Sequence, residues 1–296
     1  MDVVDEWKSA EWQAGAQDWL DERLADAGIT RVGPLTEHKV RTWAGVFSAA
    51  TTVGPVWLKA TTPGTAAEVR LYGVLHAVAP ERVLAPIATD LARGWIVLPD
   101  GGPTLTDPRE MIDRLAPYGQ MQRDLAPHVD AILAAGVSDM RPPRLPERFA
   151  EALAVIDGVP PEIAALAPRV ADWCARLAES PVPVSIDHND LHAGNFLRDG
   201  RFYDWGDSVV AHSFASMLVP LSMLGADSDR GRDAYVEAFT DLAPRADLVT
   251  DLELACRVGK IARALTWHRA VAGSAGPFAD APRAQLVALA KPSFFD

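Results

Sequence analysis

The chain's densest group of chemically capable side chains is Asp187-His188-Asn189-Asp190-Leu191-His192-Ala193-Gly194-Asn195, followed nine residues after Asn195 by Asp204-Trp205-Gly206-Asp207. A carboxylate such as Asp190 can accept a proton from a hydroxyl or an amine. Asn195 and Asp204 offer oxygen ligands of the kind hard Mg²⁺ prefers. A positioned base, two oxygen ligands and a further acidic turn are the parts of a phosphoryl-transfer site. The same stretch admits a second chemistry, with His188, Asp190 and His192 as ligands of a hydrolase metal. That alternative lacks further His or Glu at metal-binding spacing, and the whole chain has seven histidines.

The order HxDxxxxN followed by an Asp-Trp turn resembles the aminoglycoside phosphotransferase and choline kinase-like family, the small-molecule branch of the protein-kinase-like fold. The resemblance implies an α+β, two-lobed architecture. Residues 1–99 would form a small nucleotide-binding lobe with an antiparallel sheet, and residues 100–296 a larger, mainly helical lobe carrying the catalytic loop and acceptor pocket. The nucleotide would lie in the cleft between them. The resemblance further implies that Asp190 is the catalytic aspartate, that Asn195 and Asp204 hold magnesium, and that His188 steadies the catalytic loop. Asp207 and His192 match acidic and histidine positions of the pattern without a defined role. The implied reaction moves the γ-phosphoryl group of ATP, with Mg²⁺, to a hydroxyl of a small molecule, an amine being less favoured. Aminoglycosides, amino sugars, sugars and amino alcohols all qualify as acceptors, because one fold hosts many substrates. The competing function is a non-catalytic, pseudokinase-like nucleotide-binding module.

A kinase-like nucleotide lobe needs a strand lysine at the phosphates and a helical glutamate to hold it. In Val56-Trp57-Leu58-Lys59-Ala60 the lysine ends an apolar strand, where an ammonium needs a partner or a ligand. Glu68 opens the next helix, on the same side as Leu71, Tyr72 and Leu75. Taken alone, Lys59 would be a snorkelling surface lysine and Glu68 an ordinary first-turn carboxylate. By resemblance, Trp95–Asp100 is the strand and hinge whose backbone bonds adenine, with Leu98 and Asp100 at its end. No GxGxxG lies in the hairpin region; Gly45, Gly54 and the small residues 48–52 stand there instead.

These groups must be placed by regular elements. Trp12, Ala16, Trp19, Leu20, Leu24 and Ala27 recur at helical spacing, predicting one amphipathic helix over 5–28 ended by Gly28. Lys39–Ala49 and Pro55–Ala60 read as an antiparallel hairpin, Pro63-Gly64-Thr65 as a turn, and 66–78 as a helix. Arg82–Ile87 and Trp95–Leu98 read as two more strands. Beyond Asp100 the pattern is helical, as in Ile163, Leu166, Val170, Trp173 and Leu177. Short strands at Val182–Ile186, Asn195–Leu197 and Arg201–Tyr203 surround the polar loop. Arg263, Trp267, His268 and Arg269 could border the acceptor pocket, but a core tryptophan beside a basic helix end accounts for them more simply.

Composition excludes several classes. With 296 residues, 49% hydrophobic and 23% charged, the chain suits a folded globular protein. A net charge of −12 argues against a nucleic-acid partner and would suit a cationic acceptor. Cys174 and Cys256 sit among apolar residues with no CxxC pair, as buried small hydrophobes. The acidic MDVVDEWKSAEW start is unlike a signal peptide, and no apolar run reaches membrane-span length, so a cytoplasmic location without a membrane partner is expected. Oligomeric state is not legible.

Overall fold

The computed structural model describes residues 3–62, 66–271 and 278–292. The turn expected at Pro63-Gly64-Thr65 lies outside them. The chain divides into two compact units, Met1–Gly102 and Pro103–Asp296.

In the first unit the expected single N-terminal helix is two, α1 (Val3–Lys8) and α2 (Ala10–Asp26). Ser9 makes the break. Its backbone is extended, and its hydroxyl accepts from the Trp12 amide at 3.2 Å while donating to the Glu6 carbonyl at 2.7 Å. Five strands follow the order β1-β2-β3-β5-β4, all antiparallel: β1 (Thr36–Val40), β2 (Ala44–Thr51), β3 (Gly54–Thr61), β4 (Ala88–Asp90) and β5 (Trp95–Pro99). Between β3 and β4 lies α3 (Ala67–Val78). Ala16, Leu20 and Leu24 of α2 share one core with Val56, Leu58 and Ala60 of β3. Successive strand side chains face opposite ways, so Trp57 and Lys59 lie on the other face.

Two strand expectations are corrected here. The run Lys39–Ala49 is broken at 41–43, where the Arg41 amide donates to the Ala44 carbonyl at 2.9 Å and turns the chain. The strand placed at Arg82–Ile87 begins only at Ala88. Pro86 has no N–H for a ladder, and pairing starts with the Ile87 amide on the Val97 carbonyl at 2.8 Å.

The second unit is mostly helical: α4 (Ile112–Leu125), α5 (Val129–Ala134), α6 (Leu145–Val155), α7 (Pro161–Ala164), α8 (Ala167–Ala178), α9 (Leu218–Leu224), α10 (Ser228–Val236), α11 (Arg245–Val271) and α12 (Ala281–Val287). The periodic run from Ile163 to Leu177 is split between α7 and α8. Pro168 lacks an amide and its ring would clash with the carbonyl four residues back, so one continuous helix is barred. A three-stranded sheet of order β6-β8-β7 frames the polar loop: β6 (Ser138–Asp139), β7 (Val184–Asp187) and β8 (Val209–His212). β8 was not expected. It is central and wholly buried, so its sequence Val-Val-Ala-His shows no alternation. The strands expected at Asn195–Leu197 and Arg201–Tyr203 reduce to isolated bridges, Phe196 to Phe202 and Leu197 to Thr104, because a 3₁₀ turn takes residues Ala193–Asn195. Cys174 and Cys256 are buried thiols. Among the described residues, no helix is long and apolar enough to cross a membrane.

Candidate active site

β7 delivers the chain to the polar loop at Asp187, which is 1% exposed. Its Oδ1 accepts from the Asn189 amide at 2.7 Å and the Ser216 hydroxyl at 2.8 Å. Burial pushes this carboxyl up to about 6, and the two donors only partly offset it. Asn189 then takes a left-handed backbone, φ +62°, which asparagine tolerates better than most residues. The amide, carbonyl and side-chain nitrogen of Asn189 are all held. Its side-chain nitrogen donates to the Asp207 carbonyl at 3.1 Å and to Thr266 Oγ1 at 3.0 Å, and its carbonyl accepts from Arg263 Nη1.

His188 is buried against Trp205, with ring centroids 4.7 Å apart. Its amide donates to the Tyr118 hydroxyl at 3.2 Å. Nε2 lies 2.9 Å from the Tyr203 carbonyl, which can only accept, so Nε2 carries the proton. Burial lowers the imidazole's proton affinity, and His188 is neutral. Behind it runs a network centred on Gln122. The Gln122 side-chain nitrogen donates to the Ile186 carbonyl at 2.7 Å and the Ser213 carbonyl at 3.0 Å, while its oxygen accepts from Tyr235 at 2.6 Å. The sequence reading missed Gln122. Its signal is phase: it falls on the α4 face of Leu115, Tyr118 and Leu125, where an amide must find partners.

Asp190 is partly exposed. Its Oδ1 lies 3.1 Å from Arg263 Nη2, and its Oδ2 is 3.6 Å from His192 Nε2. His192 Nδ1 accepts from the Gly194 amide at 3.0 Å, which leaves the proton on Nε2. The Asn195 side-chain nitrogen donates to the Asp190 carbonyl at 2.9 Å, closing the loop on itself. That bond accounts for the five-residue spacing between them. It also leaves the Asn195 side-chain oxygen available, and the exposed Asp204, left-handed at φ +62°, supplies a carboxylate. Two hard oxygen donors on adjoining segments fit Mg²⁺. Tyr203 ties those segments together, its hydroxyl donating to the Gly194 carbonyl at 2.8 Å. The hydrolase alternative finds no support, because among the described residues no three His, Cys, Asp or Glu side chains come together as a metal site.

In the first unit the structure brings Lys59 and Glu68 together, Nζ to Oε2 at 2.6 Å, with side chains 18% and 1% exposed. At the end of β5, the Asp100 carboxylate accepts from the Trp57 indole at 2.9 Å and its amide donates to the Pro55 carbonyl at 3.2 Å. Leu98, paired with Trp57, faces β3 in the same way, which turns the Pro99 carbonyl to the opposite side. The two hairpin glycines have packing and turn roles. A Cβ on Gly45 would meet the Phe47 ring at 2.9 Å, and Gly54 has φ +116°.

Arg263 departs from the simpler expectation of a helix end. It stands two turns inside α11, flanked by apolar Ile261, Ala262, Ala264 and Leu265, and reaches the loop. Trp267 instead stacks on Phe278 at 5.2 Å, and Arg269 bonds Ser138 and Thr266 at 3.3 Å each.

The sequence matches the profile of the phosphotransferase enzyme family over residues 51–249. Among solved structures, a macrolide 2'-phosphotransferase type I superposes with a TM-score of 0.64 at 16% identity, covering 94% of this chain and 97% of that one. An ethanolamine kinase of Plasmodium vivax gives 0.65 at 11% identity over 94% and 86%. The choline kinase LicA of Streptococcus pneumoniae gives 0.63 at 14% identity over 93% and 98%. No curated protein matches by sequence. These structural likenesses establish the protein-kinase-like fold that the HxDxxxxN order suggested. With the profile spanning both the Lys59–Glu68 pair and the loop from Asp187 to Asp207, the chain belongs to the phosphotransferase enzyme family and is a small-molecule phosphotransferase.

Proposed function

We propose that the protein transfers the γ-phosphoryl group of ATP to a hydroxyl of a small molecule. The observation that carries this reading is the Asn195–Asp190 hydrogen bond. One turn of chain fixes a proton acceptor and a candidate metal ligand in a set geometry, with no donor among the described residues within hydrogen-bond distance of Asp190 Oδ2. In the reaction the acceptor O–H gives its proton to Asp190 Oδ2 as the new O–P bond forms and the bond from the γ-phosphorus to the bridging oxygen breaks, releasing ADP. Lys59, held by Glu68, offsets phosphate charge, and the Pro99 carbonyl is a suitable acceptor for an adenine amino group. Asn195 and Asp204 would hold Mg²⁺, whose contribution is to neutralise charge developing on the phosphates. Neutral, buried His188 keeps the loop backbone in place through Tyr203 and Tyr118. The relatives' names span macrolide, choline and ethanolamine acceptors, and an ADP complex is known for a spectinomycin phosphotransferase of TM-score 0.52. A hydroxylated molecule, amine-bearing or not, is the acceptor class.

The test is labelled γ-phosphate transfer from ATP to pooled macrolides, aminoglycosides, amino alcohols and sugars, with mass detection of product. Product should require Mg²⁺ and fall about 10²–10⁴-fold in Asp190→Asn. Nucleotide binding without any product, or undiminished turnover in Asp190→Asn, would overturn the reading in favour of a non-catalytic nucleotide-binding module.

A further inference from the structure

Among the described residues, the one arginine or lysine in direct contact with the Asp190 carboxylate comes from a helix remote in sequence. Arg263 is on α11, 73 residues beyond Asp190, with its side chain 14% exposed. It makes two contacts at once, Nη1 donating to the Asn189 carbonyl and Nη2 to Asp190 Oδ1 at 3.1 Å. Thr266, one turn further along the same face, accepts from the Asn189 side chain at 3.0 Å. A close approach lets α11 reach this far. A Cβ on Gly259 would stand 3.3 Å from Ala215, so the helix packs tightly against the segment Ser213–Met217.

We propose that Arg263 is a positioning residue for phosphoryl transfer: it holds Asp190 by Oδ1, so that Oδ2 alone faces the acceptor hydroxyl. A guanidinium is suited to this because its fixed fork can engage a backbone carbonyl and a carboxylate together, which a lysine's single ammonium cannot match. His192 Nε2, 3.6 Å from Oδ2, is too far to compete for that oxygen. The left-handed Asn189 between Asp187 and Asp190 makes the second contact necessary, since without it the carbonyl at that strained residue loses its donor. The inference rests on the proposed ATP chemistry for its effect on turnover, but not for the contact itself.

The experiment has two arms on the full chain. In the first, kcat and KM for ATP are measured for wild type, Arg263→Met, Arg263→Lys and Arg263→Ala, the last with and without added guanidinium. A charge-assisted hydrogen bond of this kind predicts that kcat falls about tenfold to a hundredfold in Arg263→Met with KM for ATP within about twofold. Arg263→Lys should recover part of the loss, and guanidinium should restore Arg263→Ala without affecting wild type. In the second arm, urea unfolding of Arg263→Met, Asp190→Asn and the double variant should show coupling of about tenfold in the unfolding equilibrium constant. Unchanged kcat in Arg263→Met, or equal losses in kcat and ATP affinity that neither lysine nor guanidinium repairs, would overturn the proposal, as would absent coupling. If wild type transfers nothing to any acceptor, the ATP chemistry fails, and the coupling still decides whether Arg263 holds Asp190.

Discussion

Glu68 in the first unit and Asp187 in the second are both buried carboxylates, and they are satisfied in opposite ways. Glu68 meets an ammonium, Lys59 Nζ at 2.6 Å. Asp187 meets a hydroxyl and an amide, with Arg263 acting only weakly at a distance, and its carboxyl is driven up to about 6. A lysine on a flexible stem is a charge that can be shared with a phosphate, so pairing it with a carboxylate stores a cation where a ligand can use it. Neutral donors around a carboxylate supply no charge to a ligand, but they set a backbone path, here into the left-handed Asn189 and on to Asp190. One unit thus holds charge in place and the other holds geometry.

The contrast breaks most visibly at Lys59. Lys59→Met removes the ammonium 2.6 Å from buried Glu68 and should cost about 3–5 kcal/mol in urea unfolding, most of it returned by adding Glu68→Gln. A single variant as stable as wild type would mean that Glu68 is not held by charge. Next in size is Asp187. Its folded-state proton affinity exceeds that of the unfolded chain, so below about pH 4 both states are protonated and nothing is lost. As pH rises from about 4 to about 6 the unfolded chain gives up this proton while burial makes the folded state keep it, and wild type should lose about 3 kcal/mol relative to Asp187→Asn. Unfolding midpoints of the two proteins at pH 4.5, 5.5 and 7 should therefore diverge; parallel curves would place Asp187 with the charge-compensated carboxylates. The smallest effect belongs to the exposed contact at the end of β5. Trp57→Phe removes the indole donor to Asp100 and should cost about 0.5–1 kcal/mol, with ATP affinity as the readout of any wider role. A larger stability loss would show that this strand end depends on that hydrogen bond.

Legibility in the sequence followed the range of the interactions. Asp190 and Asn195 stand out by residue type and spacing within one loop, which is local, whereas Lys59 and Glu68 are singled out by the order of motifs in the family the chain resembles. The α2 face of Ala16, Leu20 and Leu24 was likewise plain. What was misread depended on single residues whose effect is positional: Ser9 dividing one helix into two, Pro168 dividing another, and Pro86 delaying β4. β8 escaped notice because a strand buried on both faces carries no alternating pattern. Gln122 escaped because an amide in a helix is unremarkable until its burial is known.

The sequence by itself determined the candidate groups for the proposed chemistry, since an HxDxxxxN turn with an acidic turn after it is short enough to be written in consecutive residues, and the Asn195–Asp190 bond closes within it. It determined too that a lysine and a glutamate nine residues apart would be available to pair. Tertiary structure decided what holds those groups. Arg263 meets Asp190 across 73 residues, Gln122 meets Ile186 across 64, and Thr266 meets Asn189 across 77. Contacts at such separations leave no periodicity or spacing in the chain, because the partner of a buried polar group is set by which helix packs beside which strand.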